Sequence, residues 1–178
     1  MCSPEFLLSW PGDDNGRLSE NPSPVAPGPR LAYVGDMGTD LEGCLICSHP
    51  GGRPTDIVAE LSTAWVTAPI KAPLPGYVCV VAKRHVVEPY DLPNNESATF
   101  WDDCMQVARA LSSLFAPTKM NYEIHGNTIP HLHMHLYPRH PGDVYEGRPI
   151  DNIPRFTRTL SDIDRIRRAI SNPSISPT

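Results

Sequence analysis

Between Pro130 and Arg139 three histidines, His131, His133 and His135, alternate strictly with Leu132, Met134 and Leu136. A period of two belongs to an extended strand, so the three imidazoles share one face and the three apolar side chains share the other. The apolar face is core. Same-face neighbours on a strand stand roughly 6.5–7 Å apart, near enough for adjacent imidazoles to serve one ligand. A helix would scatter them around its axis. A half-exposed strand that happens to carry solvated histidines is the plainer reading of any one of them. Five of the chain's seven histidines, however, fall between His125 and His140, and that concentration favours chemistry.

The chain is 178 residues long, the size of one domain with room for a sizeable core. A net charge of -5 and a pI near 5.7 argue against a nucleic-acid partner, which needs a basic surface to replace phosphate counterions. No apolar run is long enough to span a bilayer. The segment Phe6 to Trp10 is too short for a signal peptide and lacks a basic flank, so the expected location is cytoplasmic. Five cysteines, an odd number without a secretion signal, read as thiols or metal ligands before a disulfide framework. Residues 1–30 hold six prolines among Gly, Ser and Asn and read as an extended or disordered leader, whose Phe6, Leu7, Leu8 and Trp10 offer an apolar anchor. The folded domain is expected over 31–170, with a frayed tail over 171–178.

Cys44-Leu45-Ile46-Cys47 is a Cys-x-x-Cys between turn-forming residues. Two thiolates at this spacing can chelate one zinc, but a tetrahedral site needs two more ligands; a redox pair would want a βαβ context that the following Gly- and Pro-bearing sequence does not supply. Strand-like runs follow at Ile57–Leu61, Ala64–Thr67 and Tyr77–Ala82, with a turn at Pro75-Gly76 that suggests an antiparallel meander. The third run ends at Lys83-Arg84-His85, and His85 reads as a surface residue or a ligand. Leu92 to Phe115 is the clearest helix: Asn94 or Asn95 caps it, Glu96 suits its first turn, and Pro117 stops it. Phe100, Cys104, Val107, Leu111 and Leu114 form its core stripe, which makes Cys104 a packed thiol.

Lys119 to Ile124 alternates again, with Asn121 and Glu123 opposite Met120, Tyr122 and Ile124. The loop His125-Gly126-Asn127-Thr128-Ile129-Pro130 leads into the histidines, and a glycine there lets backbone amides approach an anion. A short helix is expected from about Ser161 to Ile170, its Asp162 and Asp164 early and its Arg165, Arg167 and Arg168 late, as the helix dipole favours.

Taken together, Cys44-x-x-Cys47, the strand closing on His85, the amphipathic helix, the Gly126-Asn127-Thr128 loop and His131-x-His133-x-His135 stand in the order of the histidine triad (HIT) nucleotide hydrolases and transferases. The stretch from Gly43 to Asp151 resembles one domain of that family, in its zinc-containing branch. The resemblance implies an α+β fold, an antiparallel sheet of about five strands with the long helix on one face, and a homodimer. It implies structural zinc on Cys44, Cys47, His85 and His131, a closed Cys2His2 set. His133 matches the nucleophile that attacks the α-phosphorus of a nucleotide, and His135 the histidine that contacts the phosphate or bridging atom. Gly126, Asn127 and Thr128 would bind the phosphate oxygens.

The family's ribose-contacting asparagine is absent from Val66-Thr67-Ala68-Pro69-Ile70, and Asn121 is the candidate for part of that role. The implied activity is hydrolysis of a dinucleoside polyphosphate or nucleoside phosphoramidate through a nucleotidyl-histidine, with a divalent cation able to accompany the substrate. Transfer to phosphate or a sugar phosphate through the same intermediate, and a non-catalytic zinc-stabilised nucleotide-binding module, are the alternatives.

Overall fold

The computed structural model describes residues 43–48 and 56–172. The expected leader and residues 173–178 of the expected tail lie outside the described residues. Five strands form one antiparallel sheet in the order β1-β2-β4-β6-β5, where β1 is Ile57–Glu60, β2 Ala64–Thr67, β4 Val78–Ala82, β5 Lys119–Ile124 and β6 His133–Arg139. Strand β3 (Lys71–Ala72) pairs with β7 (Phe156–Thr157) in a separate two-stranded sheet. The helices are α1 (Leu45–Ser48), α2 (Asn94–Phe115) and α3 (Leu160–Ser171). No helix among the described residues is long and apolar enough to cross a membrane.

The sheet has two covered faces. On one, Phe100, Cys104, Val107, Ala108 and Leu111 of α2 and Ile163, Ile166 and Ile170 of α3 pack with Val66, Val78, Val80, Met134 and Leu136. The expected core stripe of α2 is therefore the buried one, while Trp101 stays exposed beside it. On the other face Cys79, Val81 and Tyr137 pack with Cys44, Ile46, Ala72, Leu74, Tyr77, Tyr145 and Ile150. Central strand β4, buried at every position, shows what covering both faces demands: a continuous Val-Cys-Val-Val-Ala run instead of alternation.

Three local expectations are corrected. Asn94 and Asn95 are inside α2; the N-cap is Pro93, which has no side-chain donor or acceptor and makes no cap bond, its ring already holding φ where the chain enters the helix. The helix ends at Ala116 in the left-handed region, ahead of Pro117. The strand of the histidine motif starts at His133, because His131 N–H turns back to the Ile129 carbonyl at 2.8 Å; pairing resumes at Leu132, whose N–H donates to Val86 O at 2.6 Å. Helix α3 runs one residue past each end of its expected span and opens on a Thr159–Asp162 capping box.

Close approaches outside regular structure hold the chain on both faces of the sheet, against α2 at Gly76 and on the histidine side at Arg158. At Gly76 a Cβ would lie 2.6 Å from Pro138 Cγ and 3.0 Å from Phe115 Cδ2, so only glycine lets the chain pass there. Arg158, just after β7, is buried, and its guanidinium donates to the carbonyls of Pro75 and Pro69 (2.8 Å each), Leu74 (3.4 Å) and Tyr77. Burial draws its pKa down to about 10, still charged at neutral pH, and the four carbonyls satisfy it. Segment 139–158 thus returns across the histidine side of the sheet and is fastened there.

Candidate active site and metal cluster

Four donors converge where the ends of α1, β4 and the His131 turn meet. Cys44, Cys47, His85 and His131 each place one ligand atom within 4.8 Å of all the others. Cys44 Sγ lies 3.5 Å and Cys47 Sγ 3.6 Å from His131 Nδ1; Cys47 Sγ lies 3.3 Å from His85 Nδ1, and the two Nδ1 atoms are 3.3 Å apart. A tetrahedral centre with metal–sulfur bonds near ~2.3 Å and metal–nitrogen bonds near ~2.0–2.1 Å requires edges of roughly 3.6 Å between S and N and roughly 3.3 Å between N and N. The donor set fits a small tetrahedral cation. His131 Nε2 donates its N–H to Ala82 O at 2.7 Å, which leaves the Nδ1 lone pair facing the thiols and fixes the ring as a ligand should be fixed. Burial, then the Cys44 thiol beside it, pushes the Cys47 pKa up to about 11; a bound cation is what would hold these sulfurs as thiolates.

Beyond this cluster, His133 and His135 line a cavity of about 500 Å³ together with Lys71, Tyr77, His125, Asn127, Thr128, Ile129, Asp151, Asn152 and three prolines. Their rings stand 4.8 Å apart, centroid to centroid, nearly perpendicular, closer than the backbone spacing of same-face residues because both side chains lean toward one point. His133 Nδ1 lies 2.6 Å from the His131 carbonyl oxygen. A carbonyl can only accept, so Nδ1 carries the proton and Nε2 keeps its lone pair. His135 Nδ1 lies 2.9 Å from the Tyr77 hydroxyl, and its ring lies near-parallel to those of Tyr77 and Tyr137, the three forming one cluster.

Both rings are held neutral. Burial lowers the His133 pKa, opposed by the bond to the His131 carbonyl and aided by His125. Burial lowers that of His135 to about 4, with His133 and His125 adding like-charge repulsion. A neutral imidazole with a free Nε2 is a nucleophile at pH 7 without further activation.

The expected site residues separate into two groups. His133, His135, Asn127 and Thr128 share the cavity, and Cys44, Cys47, His85 and His131 share the metal cluster. Gly126 is not part of the cavity lining, its φ is not positive, and an added Cβ would meet only Val87 Cγ1 at 3.8 Å; the backbone there does not require glycine. Asn121 pairs with Tyr137 and so lies on the histidine side of the sheet, but outside the lining.

Lys71, Tyr77, His125, Asp151 and Asn152 were not singled out from sequence. His125 sits 5.7 Å from the His135 ring and is bonded to Glu123; its place in the histidine-rich loop is the signal by which sequence could have found it. Asn152 adopts φ 58°, a left-handed backbone that asparagine tolerates better than most residues, and its Oδ1 accepts from the Tyr137 hydroxyl. Asp151 accepts from Tyr145 and pairs with Arg155, contacts that hold its pKa down at about 2.

The HIT domain model matches residues 51–142, more than half of the chain. Bis(5'-nucleosyl)-tetraphosphatase [asymmetrical] of Schizosaccharomyces pombe is 30% identical over 103 residues, 55% of this chain and 56% of the relative. The chain thus spans little more than half of that protein. The bifunctional bis(5'-adenosyl)-triphosphatase/adenylylsulfatase of Arabidopsis thaliana is 25% identical over 128 residues, 66% of this chain and 71% of the relative. Among solved structures, a zinc-bound histidine triad family protein from Mycobacterium smegmatis superposes with a TM-score of 0.57 at 22% identity, over 75% of this chain and 96% of its own. With the triad, the sheet order and the matched span in agreement, the chain belongs to the HIT domain family.

Proposed function

We propose that the chain is a nucleotidyl hydrolase that cleaves a dinucleoside polyphosphate or a nucleoside phosphoramidate through His133. The observation that carries this reading is the bond from His133 Nδ1 to the His131 carbonyl, which leaves Nε2 as a lone pair in the cavity. In the first step Nε2 bonds to the α-phosphorus and the bond to the leaving group breaks with its electron pair going to that group, a polyphosphate departing as its anion and an amine nitrogen taking a proton from solvent as the P–N bond breaks. The resulting nucleotidyl-imidazolium keeps its Nδ1–H on the His131 carbonyl, which stabilises the positive charge. Water then attacks phosphorus, releasing a nucleoside monophosphate and restoring neutral His133. Net, one water is consumed, its hydroxyl on phosphorus and its proton returned to solvent. Asn127 and Thr128 line the cavity and are assigned to the equatorial oxygens. The names of the two sequence relatives favour anhydride substrates.

Zinc is the metal assigned to Cys44, Cys47, His85 and His131, and its contribution when bound is structural, fastening α1 to the strand ends beside the cavity. The test is incubation with a panel of dinucleoside polyphosphates and adenylyl–amine conjugates, with products resolved by chromatography. Release of a nucleoside monophosphate, and a nucleotide adduct on the peptide containing His133 after acid-free quenching, are expected. Cleavage of no panel member, or an adduct on another residue, sinks the reading. Incorporation of added phosphate into the product would instead make the enzyme a phosphorylase.

A further inference from the structure

Tyr77 stands at the head of β4, opposite the histidine strand, where the β4–β6 pairing brings it beside His135. Its ring stacks on Tyr137 with centroids 5.1 Å apart and on His135 at 5.8 Å, and Arg158 donates to its backbone carbonyl. The ring is thus held by two neighbouring rings and its backbone by Arg158. Its hydroxyl lies 2.9 Å from His135 Nδ1, and each of the two groups is able to donate or accept.

Two features decide the direction. Burial, and the Cys79 thiol beside it, raise the Tyr77 pKa well above the usual phenol value, so the hydroxyl keeps its proton. That proton needs an acceptor. Cys79 is fully buried, its pKa pushed up to about 12; its sulfur is a weak acceptor, whereas an imidazole nitrogen is a strong one. The hydroxyl therefore donates to Nδ1, and the His135 proton resides on Nε2.

We propose that Tyr77 is a positioning residue that locks His135 as the Nε2–H tautomer, so that His135 presents a hydrogen-bond donor to the cavity. His133 is locked the opposite way by the His131 carbonyl. Two adjacent histidines of one strand are in this way given opposite polarity toward the same cavity, a lone pair from His133 and an N–H from His135. The donor suits an anionic phosphoryl oxygen or the bridging atom of the leaving group, and it gives up no proton. The catalytic consequence rests on the nucleotidyl hydrolase reading; the tautomer does not.

The test is a long-range ¹H–¹⁵N spectrum of the full chain labelled with ¹⁵N-histidine at neutral pH, with His135 signals identified by their loss in His135→Gln. Wild type should show His135 Nε2 protonated and Nδ1 bare, and Tyr77→Phe, which keeps the stacking ring, should shift His135 to a mixture of tautomers. His135 protonated on Nδ1 in wild type, or a tautomer unchanged in Tyr77→Phe, overturns the proposal. Where turnover is measurable, Tyr77→Phe should lower kcat by about tenfold, the worth of one well-placed hydrogen bond, with KM nearly constant. An unchanged kcat would deny Tyr77 its part in the reaction. Because the spectrum needs no turnover, an inactive wild type would count against the hydrolase reading alone.

Discussion

His131 and His133 stand two residues apart in one motif and are held in opposite tautomers. The difference lies in which ring nitrogen meets a backbone carbonyl. His131 gives Nε2–H to Ala82 and turns Nδ1 to two sulfurs and a second imidazole. His133 gives Nδ1–H to His131 and turns Nε2 to the cavity. His131 is almost fully buried and His133 only partly, but it is the neighbouring acceptor, a product of strand pairing and of the turn before β6, that turns a bare Nδ1 to the thiols in one and leaves a bare Nε2 in the other.

Substitution at each end should break this contrast in different ways. The largest effect is expected at His133→Ala, which should lower turnover by roughly 10³-fold or more while nucleotide affinity, read by calorimetry, changes little. Activity within tenfold of wild type would remove His133 from the mechanism. Next in size, Cys44→Ser and His131→Ala should reduce bound zinc from about one per chain to near none by elemental analysis. Each should also lower Tm by ~10 °C or more, since binding to the folded state is linked to its stability. A chelated protein with an unchanged Tm would leave the four donors without a structural role.

A smaller effect concerns acid. His135 has its folded pKa depressed to about 4 against ~6.5 unfolded, so the unfolded chain binds its proton first as pH falls. Stability is untouched above the unfolded value and is lost progressively between about pH 6.5 and pH 4. At pH 5 the loss is roughly 2 kcal/mol from this residue. Urea unfolding of wild type and His135→Gln at pH 7 and pH 5 should show a shallower pH dependence in the variant; equal slopes would mean that His135 titrates normally. The smallest contrast is between two asparagines. Asn127→Ala in the cavity should raise KM by about fivefold, and Asn121→Ala, outside the lining, should leave it within about twofold; the reverse order would move the nucleotide toward β5.

Much of this was legible where a pattern is local. The alternation in β5 and β6 and the stripe on α2 each carry their own period, and they became strands and a buried helix face. Resemblance to the family brought His85 and His131 to the two cysteines. What stayed hidden depends on partners distant in the chain. Tyr77 looks like any strand residue until β4 lies against β6. Strands β3 and β7 have two residues each, too short to show a period. Asn152 reads as a turn residue, and its contact with Tyr137 arises only because Arg155 to Arg158 bind the β3 region. The start of β6 was misplaced for a related reason: an N–H bond from His131 to Ile129 leaves no trace in hydrophobicity.

The fastening of segment 139–158 bears on what could be transplanted. The span by which the family is matched ends at residue 142 and begins at 51, leaving out Cys44 and Cys47 at one end and Asp151, Asn152 and Arg158 at the other. A graft of that span into another protein would carry the three histidines but neither the sulfurs that His131 faces nor one wall of the cavity. It would also strip Tyr145 and Ile150 from the second core and leave the carbonyls of Pro69, Leu74, Pro75 and Tyr77 without their guanidinium. The span that carries both the donor cluster and the whole cavity is longer than the signature, reaching at least from Cys44 to Arg158.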